Sequence, residues 1–316
     1  MPYDSIIDRI DASALIPEEV ANSIIEDMPQ QSLVIQRFTT VRMSRAEQRL
    51  PVLSALATAY FVNGDTGLRQ TSELQWKNKY LNAEEIAVIV PIPKKVLKDM
   101  SFDIWGQARP RMVEAIGKTL DKAVLFGADR PASWPSAIVD GAAAASNSFV
   151  RGSIGGQDVA GDISACMSLI EDDGFDVNGF VAAPTFKGSL RNLRDNQNQP
   201  IFQPSMQQGM PGLVWGEPIT FTKNGAFDQT KASLICGDWT QGILGIREDM
   251  DWEILREAVI QDSSGNIIYN FAQQGMVGLL LTIRVAFQIA NPITQMNPND
   301  STRYPFAVLR PIGFSG

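Results

Sequence analysis

Three groups of residues have types and spacings that could do chemistry. Gly117-Lys118-Thr119 ends like a phosphate-cradling loop, in which backbone N–H groups, a lysine and a hydroxyl surround the phosphates of a nucleotide. The pattern fails at its start, because its first glycine would fall on Met112. The apolar spacing around it also places the segment inside a helix, so it reads as a solvated helical turn. Glu171, Asp172, Asp173 and Asp176 offer the hard oxygen donors that calcium takes. Their spacing departs from the EF-hand loop, however, and Ala183 stands where its last glutamate belongs, so a solvated acidic loop is expected. Lys77 and Lys79 are amines that could in principle form covalent links, but exposed lysines normally serve as solvated charge, and no crosslinking is expected of them.

The chain contains no histidine, which removes every mechanism that uses imidazole as base, acid or metal ligand. Neither a G-x-S-x-G nucleophile elbow nor a G-x-G-x-x-G dinucleotide fingerprint occurs. No catalytic, cofactor-binding or metal-binding residues are therefore predicted, and no cofactor. The two cysteines, Cys166 and Cys236, cannot form a disulfide framework for a chain of 316 residues; isolated thiols of this kind are expected as small buried hydrophobes in a protein made in a reducing cytoplasm. A net charge of -8 argues against tight sequence-specific binding of DNA or RNA, which requires phosphates to be neutralised. The same charge is compatible with a wall that encloses DNA without sticking to it.

These side chains need elements to position them, and the length with 44 % hydrophobic residues allows a full core, with two lobes expected. Met1 to Ile10 lacks the basic start and apolar stretch of a signal peptide. Short helices are predicted at Ser5–Ile10 and at Pro17–Met28, where Pro17, Glu18 and Glu19 suit a helix start and Pro29 a stop. Gly64, Asp65 and Gly67 mark a turn between strands at Leu56–Val62 and Leu74–Tyr80, a hairpin that needs something to lie upon. Ile86–Ile92 reads as a strand which Pro91 and Pro93 confine to a sheet edge or a bulge.

Trp105, Ala108, Met112, Ile116, Leu120 and Ala123 recur at three or four residues, predicting a helix over 102–126 that stops at Gly127. Pro110 leaves open whether it kinks there or starts near there. Asp129–Gly161, rich in Pro, Ala, Ser and Gly, is the expected domain boundary. Beyond it come helices at Asp162–Ile170 and Thr185–Leu193, a strand at Phe180–Ala183 and a polar loop at Asp195–Gln208. Further strands are expected at Leu213–Trp215, Ile219–Thr222, Ser233–Gly237, Ile243–Ile246, Trp252–Leu255 and Leu279–Ile289. The apolar run Leu279–Ala290 is too short to span a bilayer and holds Arg284 and Gln288, so no membrane role follows.

Read in order, several stretches resemble the major capsid proteins of tailed bacteriophages. Val90-Pro91-Ile92-Pro93-Lys94-Lys95-Val96-Leu97-Lys98-Asp99 leads into the long helix. Leu120-Asp121-Lys122-Ala123-Val124-Leu125-Phe126-Gly127 follows, with Pro131 and Pro135 to Ile138 beyond; members of the family often have Pro-x-Gly-Ile there, whereas this chain has Ala137 at the glycine. Phe180-Val181-Ala182-Ala183-Pro184-Thr185, Leu190 to Asp195, Leu213-Val214-Trp215-Gly216-Glu217-Pro218-Ile219, Gly237-Asp238-Trp239 and Pro305-Phe306-Ala307-Val308-Leu309 keep the same order. Each is weak alone; their colinearity over most of the chain carries the resemblance.

The resemblance implies an α+β chain with the Hong Kong 97-like capsid fold: an N-terminal arm (1–45), an extended β-hairpin loop (46–85), a peripheral domain with a spine helix at about 102–126 (86–154, completed by 246–316) and an apical domain (155–245). It implies a structural protein and not an enzyme, self-assembling as hexamers and pentamers into an icosahedral head. That head would be built in the host cytoplasm and would enclose double-stranded DNA without sequence-specific binding. A portal is an implied partner, with room for a decoration protein. Only about 45 residues precede the loop, too few for a large scaffolding segment, so a separate scaffold protein and an uncleaved arm are expected.

An arm and hairpin with little of their own to pack on gain by burying apolar side chains between subunits. Phe38, Val41, Leu56, Tyr60, Phe61 and Trp76 are the expected inter-subunit contacts. An encapsulin-like nanocompartment shares the fold but not the phage-like loop and arm. An unrecognised enzyme or ligand-binding protein would need a polar pocket and a motif.

Overall fold

The computed structural model describes residues 32–57, 59, 61, 71–99, 104–154, 158–193, 212–262 and 264–314. The helices expected at Ser5–Ile10 and Pro17–Met28, the hairpin turn at Gly64–Gly67 and the loop at Asp195–Gln208 lie outside the described residues.

Ser32 caps a short helix, α1 (Leu33–Arg37), its hydroxyl accepting from the Ile35 N–H. Strand β1 (Thr39–Arg42) follows, then a hairpin of β2 (Glu47–Ala55) and β3 (Gln75–Asn82), then β4 (Glu84–Pro93), which runs directly into α2 (Lys94–Asp99). The first hairpin strand thus ends just before Leu56, earlier in the chain than expected, because the alternation of Gln48, Leu50 and Val52 is what registers against β3. Helix α3 (Ile104–Phe126) has 23 residues and is about 34 Å long. It continues through Pro110, whose ring removes one hydrogen bond, to the carbonyl of residue 106 near the helix start. Met112, Ile116, Leu120 and Ala123 form its buried face, and Gly127, at φ 71°, ends it with an N–H bonded back to Ala123.

The stretch expected to be a domain boundary, Asp129–Gly161, instead holds α4 (Ile138–Ala144) and β5 (Ser148–Val150), with Ile138, Val139 and Ala142 buried. Its small residues permit close packing: Gly141 lies against the Tyr304 ring with no room for a Cβ. Next come α5 (Val159–Asp172), β6 (Phe180–Ala182), α6 (Phe186–Arg191), β7 (Gly212–Val214), β8 (Glu217–Phe221) and β9 (Leu234–Gly237). The strands expected at Ile243–Ile246 and Trp252–Leu255 are one strand, β10 (Gly242–Leu255), with irregularities between Ile246 and Asp251. A small hairpin, β11 (Val259–Gln261) and β12 (Ile267–Asn270), leads through α7 (Phe271–Gln274) to β13 (Met276–Ile289), and β14 (Phe306–Arg310) closes the chain.

Two large sheets organise these elements. The first has the order β1-β10-β13-β4, so β4 is an edge strand, which is why it can hold Pro91 and Pro93. The second has the order β5-β14-β9-β6-β8-β7. Its central strands are buried on both faces, as their unbroken apolar sequences require. Val181, Ile235, Phe306 and Val308 point into the main core with α3, while Phe180, Ala182, Leu234, Cys236, Ala307 and Leu309 point into a second core under α5 and α6. This sheet draws strands from the ranges 86–154, 155–245 and 246–316, and the expected boundary at 245/246 falls inside β10. Among the described residues no helix is long and apolar enough to cross a membrane.

Asp121, on α3, is fully buried. Its carboxylate accepts from the Ser32 hydroxyl at 2.8 Å, the N–H groups of Leu33 and Val34 at 3.1 Å each, and the Asn224 amide at 2.7 Å. Burial pushes its carboxyl up, against the opposing pull of these hydrogen bonds. Asp121→Ala would leave the buried Ser32 hydroxyl and the Leu33 and Val34 N–H groups without this acceptor, at roughly 1–3 kcal/mol each. Denaturant unfolding of the isolated chain is expected to show a loss of about 3 kcal/mol or more; a loss below about 1 kcal/mol would contradict this account of the junction.

Candidate functional site

None of the enzyme-like groups forms an active site. Lys118 and Thr119 lie in the middle of α3, the Thr119 hydroxyl donates to the Ala115 carbonyl at 2.9 Å, and Gly117 faces Ser32, so no loop is present to hold a phosphate. In the acidic cluster, Glu171, Asp172 and Asp176 are exposed, whereas Asp173 is buried. It accepts from the amides of Asn147 at 2.7 Å and Asn297 at 2.6 Å and from the Tyr304 N–H at 2.9 Å, tying the end of α5 to the segment before β14. Among the described residues no three His, Cys, Asp or Glu side chains are grouped to hold a metal.

The hairpin lysines are not simply solvated charge. Lys77 Nζ pairs with Asp300 at 2.7 Å, and half-buried Lys79 donates to the Ile289 carbonyl at 2.9 Å, with burial pushing its ammonium down to about 8. Gln288 reaches the Tyr80 carbonyl at 2.9 Å, and Trp134 Nε1 reaches the Asn82 carbonyl at 3.0 Å. Met43, Leu81 and Ala286 form a small apolar cluster beneath the hairpin base. One face of β3 is therefore fastened to its own subunit.

The other face is tied down at its end, where Asn82 donates to the Ser133 carbonyl at 3.3 Å, and is bare further along. Side chains alternate along a strand, so Trp76 and Tyr80 project together, opposite Lys77, Lys79 and Leu81, and both are exposed, as is Leu74 just before the strand. Phe61 is 99 % and Trp76 63 % exposed, while Val41 and Leu56 are half-buried and Tyr60 lies outside the described residues. Phe38 is different: it is buried against Phe287 and Trp239, with ring centroids 5.9 and 6.0 Å away. The segment 33–38 is built into the main core, so Phe38 has almost no surface left for a neighbour, contrary to the expectation that it is an arm contact.

Two further apolar surfaces lie outside the expected set. Val259, Ile267, Ile268 and Tyr269 are exposed on the β11–β12 hairpin. Ile268 is the extra residue between the paired Ile267 and Tyr269, and a two-stranded sheet with this much exposed apolar surface is marginal in water. Leu213 and Trp215 are exposed at the β7–β8 turn, where Trp215 at φ 52° and Gly216 at φ 89° make the two-residue connection. A bulky residue at positive φ is strained, so Trp215 sits exposed at a position that glycine or asparagine fills more readily. Sequence signals for both surfaces existed: the Asp262–Gly265 turn beside Ile267-Ile268-Tyr269, and the Trp215-Gly216 pair.

The site is thus a set of apolar projections around a closed core. A profile of the phage capsid family matches residues 12–294. The chain belongs to the phage capsid family. It is 24 % identical over 292 residues, 91 % of this chain and 86 % of the other, to the major capsid protein of Staphylococcus phage 80alpha. A solved structure from Microbacterium phage Oxtober96 superposes with a TM-score of 0.78 at 38 % identity, covering 97 % of this chain and all of that one. One from Mycobacterium phage Cain does so with a TM-score of 0.78 at 28 % identity, covering 98 % and 100 %. The fold is the Hong Kong 97-like capsid fold.

Core and projection respond differently to truncation. Phe38→Ala is expected to lower the stability of the isolated chain by about 3–5 kcal/mol, and Trp76→Ala to change it by less than about 0.5 kcal/mol. Denaturant melts of the two variants check this; equal losses would contradict the division.

Proposed function

We propose that the chain is the major head subunit of a tailed phage, assembling as hexamers and pentamers into an icosahedral shell around double-stranded DNA. The observation that carries this reading is the β2–β3 hairpin: its inner face is anchored through Lys77, Lys79 and Leu81, while Leu74, Trp76 and Tyr80 stand bare on the outer face. Apolar side chains on a projecting strand lower their free energy when a neighbouring copy covers them. Val41, Leu56, Tyr60 and Phe61 belong to the same contact set, together with the β11–β12 hairpin and the β7–β8 turn.

The net charge of -8 suits a wall that holds DNA loosely, because phosphates are not drawn onto it. Function then resides in surfaces and not in catalysis. A separate scaffold protein sets the curvature during assembly in the host cytoplasm, a portal occupies one vertex, and the finished subunit is a virion component. A decoration protein would bind the outside of the shell.

Electron microscopy of the purified chain, with and without a co-expressed scaffold protein, tests the reading. Closed shells tens of nanometres across are expected for the natural sequence, and loss of shells with a folded subunit is expected for Trp76→Ala combined with Tyr80→Ala. Monomers alone under both conditions would overturn the proposal.

A further inference from the structure

The chain has two cysteines among its 316 residues, and the fold brings them together. Cys166 lies on α5 and Cys236 on β9, 70 positions apart, yet their sulfur atoms are 3.2 Å from each other. Both are fully buried in the second core, among Ile163, Ile170, Phe180 and Leu234. They are therefore not the isolated core thiols that their separation in sequence implies. The hydrogen bond shared with Cys236, and then burial, push the Cys166 thiol above its ordinary range, so this thiol rests protonated and slow to react.

We propose that Cys166 and Cys236 are an oxidative cross-linking site within one subunit, at which a small peroxide converts the two thiols into a disulfide joining helix α5 to the central sheet. One thiol, ionised when α5 opens locally, attacks the peroxide O–O bond; hydroxide leaves and, with the thiol proton, forms water, giving a sulfenic acid. The second thiol attacks the sulfenic sulfur, the S–S bond forms and a second water leaves. Two thiols and one hydrogen peroxide thus give one disulfide and two waters, with both sulfurs oxidised and the peroxide reduced.

Hydrogen peroxide is small enough to reach a closed core, and the neighbouring thiol captures the sulfenic acid before further oxidation. The sulfurs must approach by about 1.1 Å, from contact distance to a disulfide bond. That movement falls on the junction between α5 and β9. The closed link spans 70 residues, a long loop whose closure restricts the unfolded chain. A subunit that has left a reducing cell for an aerobic medium would then be harder to unfold. The site lies inside one subunit, so it does not depend on the shell reading.

The full chain, reduced and freed of reductant, is treated with stoichiometric hydrogen peroxide and measured by intact mass, by thiol titration in denaturant and by thermal unfolding. The expected result is loss of two hydrogens in mass, loss of both titratable thiols, and a higher unfolding midpoint that dithiothreitol reverses. Cys236→Ala removes the capturing thiol, and its expected product carries added oxygen. Added oxygen on the natural chain, disulfide-linked dimers, or two thiols persisting in the folded chain while the denatured chain oxidises would overturn the proposal.

Discussion

A carboxylate with no exposed surface, in the middle of a long helix, is stable only where donors converge on it. Asp121 has four such donors, from Ser32, Leu33, Val34 and Asn224, drawn from two widely separated parts of the chain. Meeting all of them at once requires that α1 dock on α3 and that the loop after β8 close over the same point. From that junction β1 enters beside β10, and Phe38 is carried into the core against Phe287 and Trp239. The path of the chain into the β2–β3 hairpin is therefore set by a buried polar contact, and apolar packing completes it.

The six-stranded sheet shares one wall between two cores. Alternate residues of β6, β9 and β14 face the spine helix on one side and α5 on the other, so neither lobe has a hydrophobic face of its own to expose. Stability is concentrated there. The apolar surface left over sits on elements with little behind them: the outer face of β3, the β11–β12 hairpin, and the strained turn at Trp215. A subunit built this way folds by one set of side chains and recognises its copies by another.

Much of this was legible in the sequence because it depends on local periodicity. The stripe from Met112 to Ala123 specified α3 and its buried face, and the two prolines of β4 confined it to a sheet edge or a bulge, of which the fold takes the edge. The colinear motifs identified the fold class. What stayed hidden depends on distance along the chain. Phe38 has the composition of an arm residue, and what makes it core is packing against Trp239 and Phe287, some 200 or more positions along the chain. The small residues of α4 have the composition of a linker, although Gly141 is small because Tyr304 lies against it. Nothing local indicates that Cys166 and Cys236 meet, or that Lys79 lies half-buried beneath the hairpin. The surface at Ile267-Ile268-Tyr269 was overlooked because its strands are short.

The central claim is that the surfaces left bare on one subunit are covered by other copies in a shell. Hydrogen–deuterium exchange of the unassembled chain and of closed shells compares these surfaces directly. The account predicts that amides of Gln75–Asn82 and Ile267–Asn270 exchange more slowly in shells, while those of β9 and β13 stay equally protected in both states. Unchanged exchange in both hairpins on assembly would contradict it.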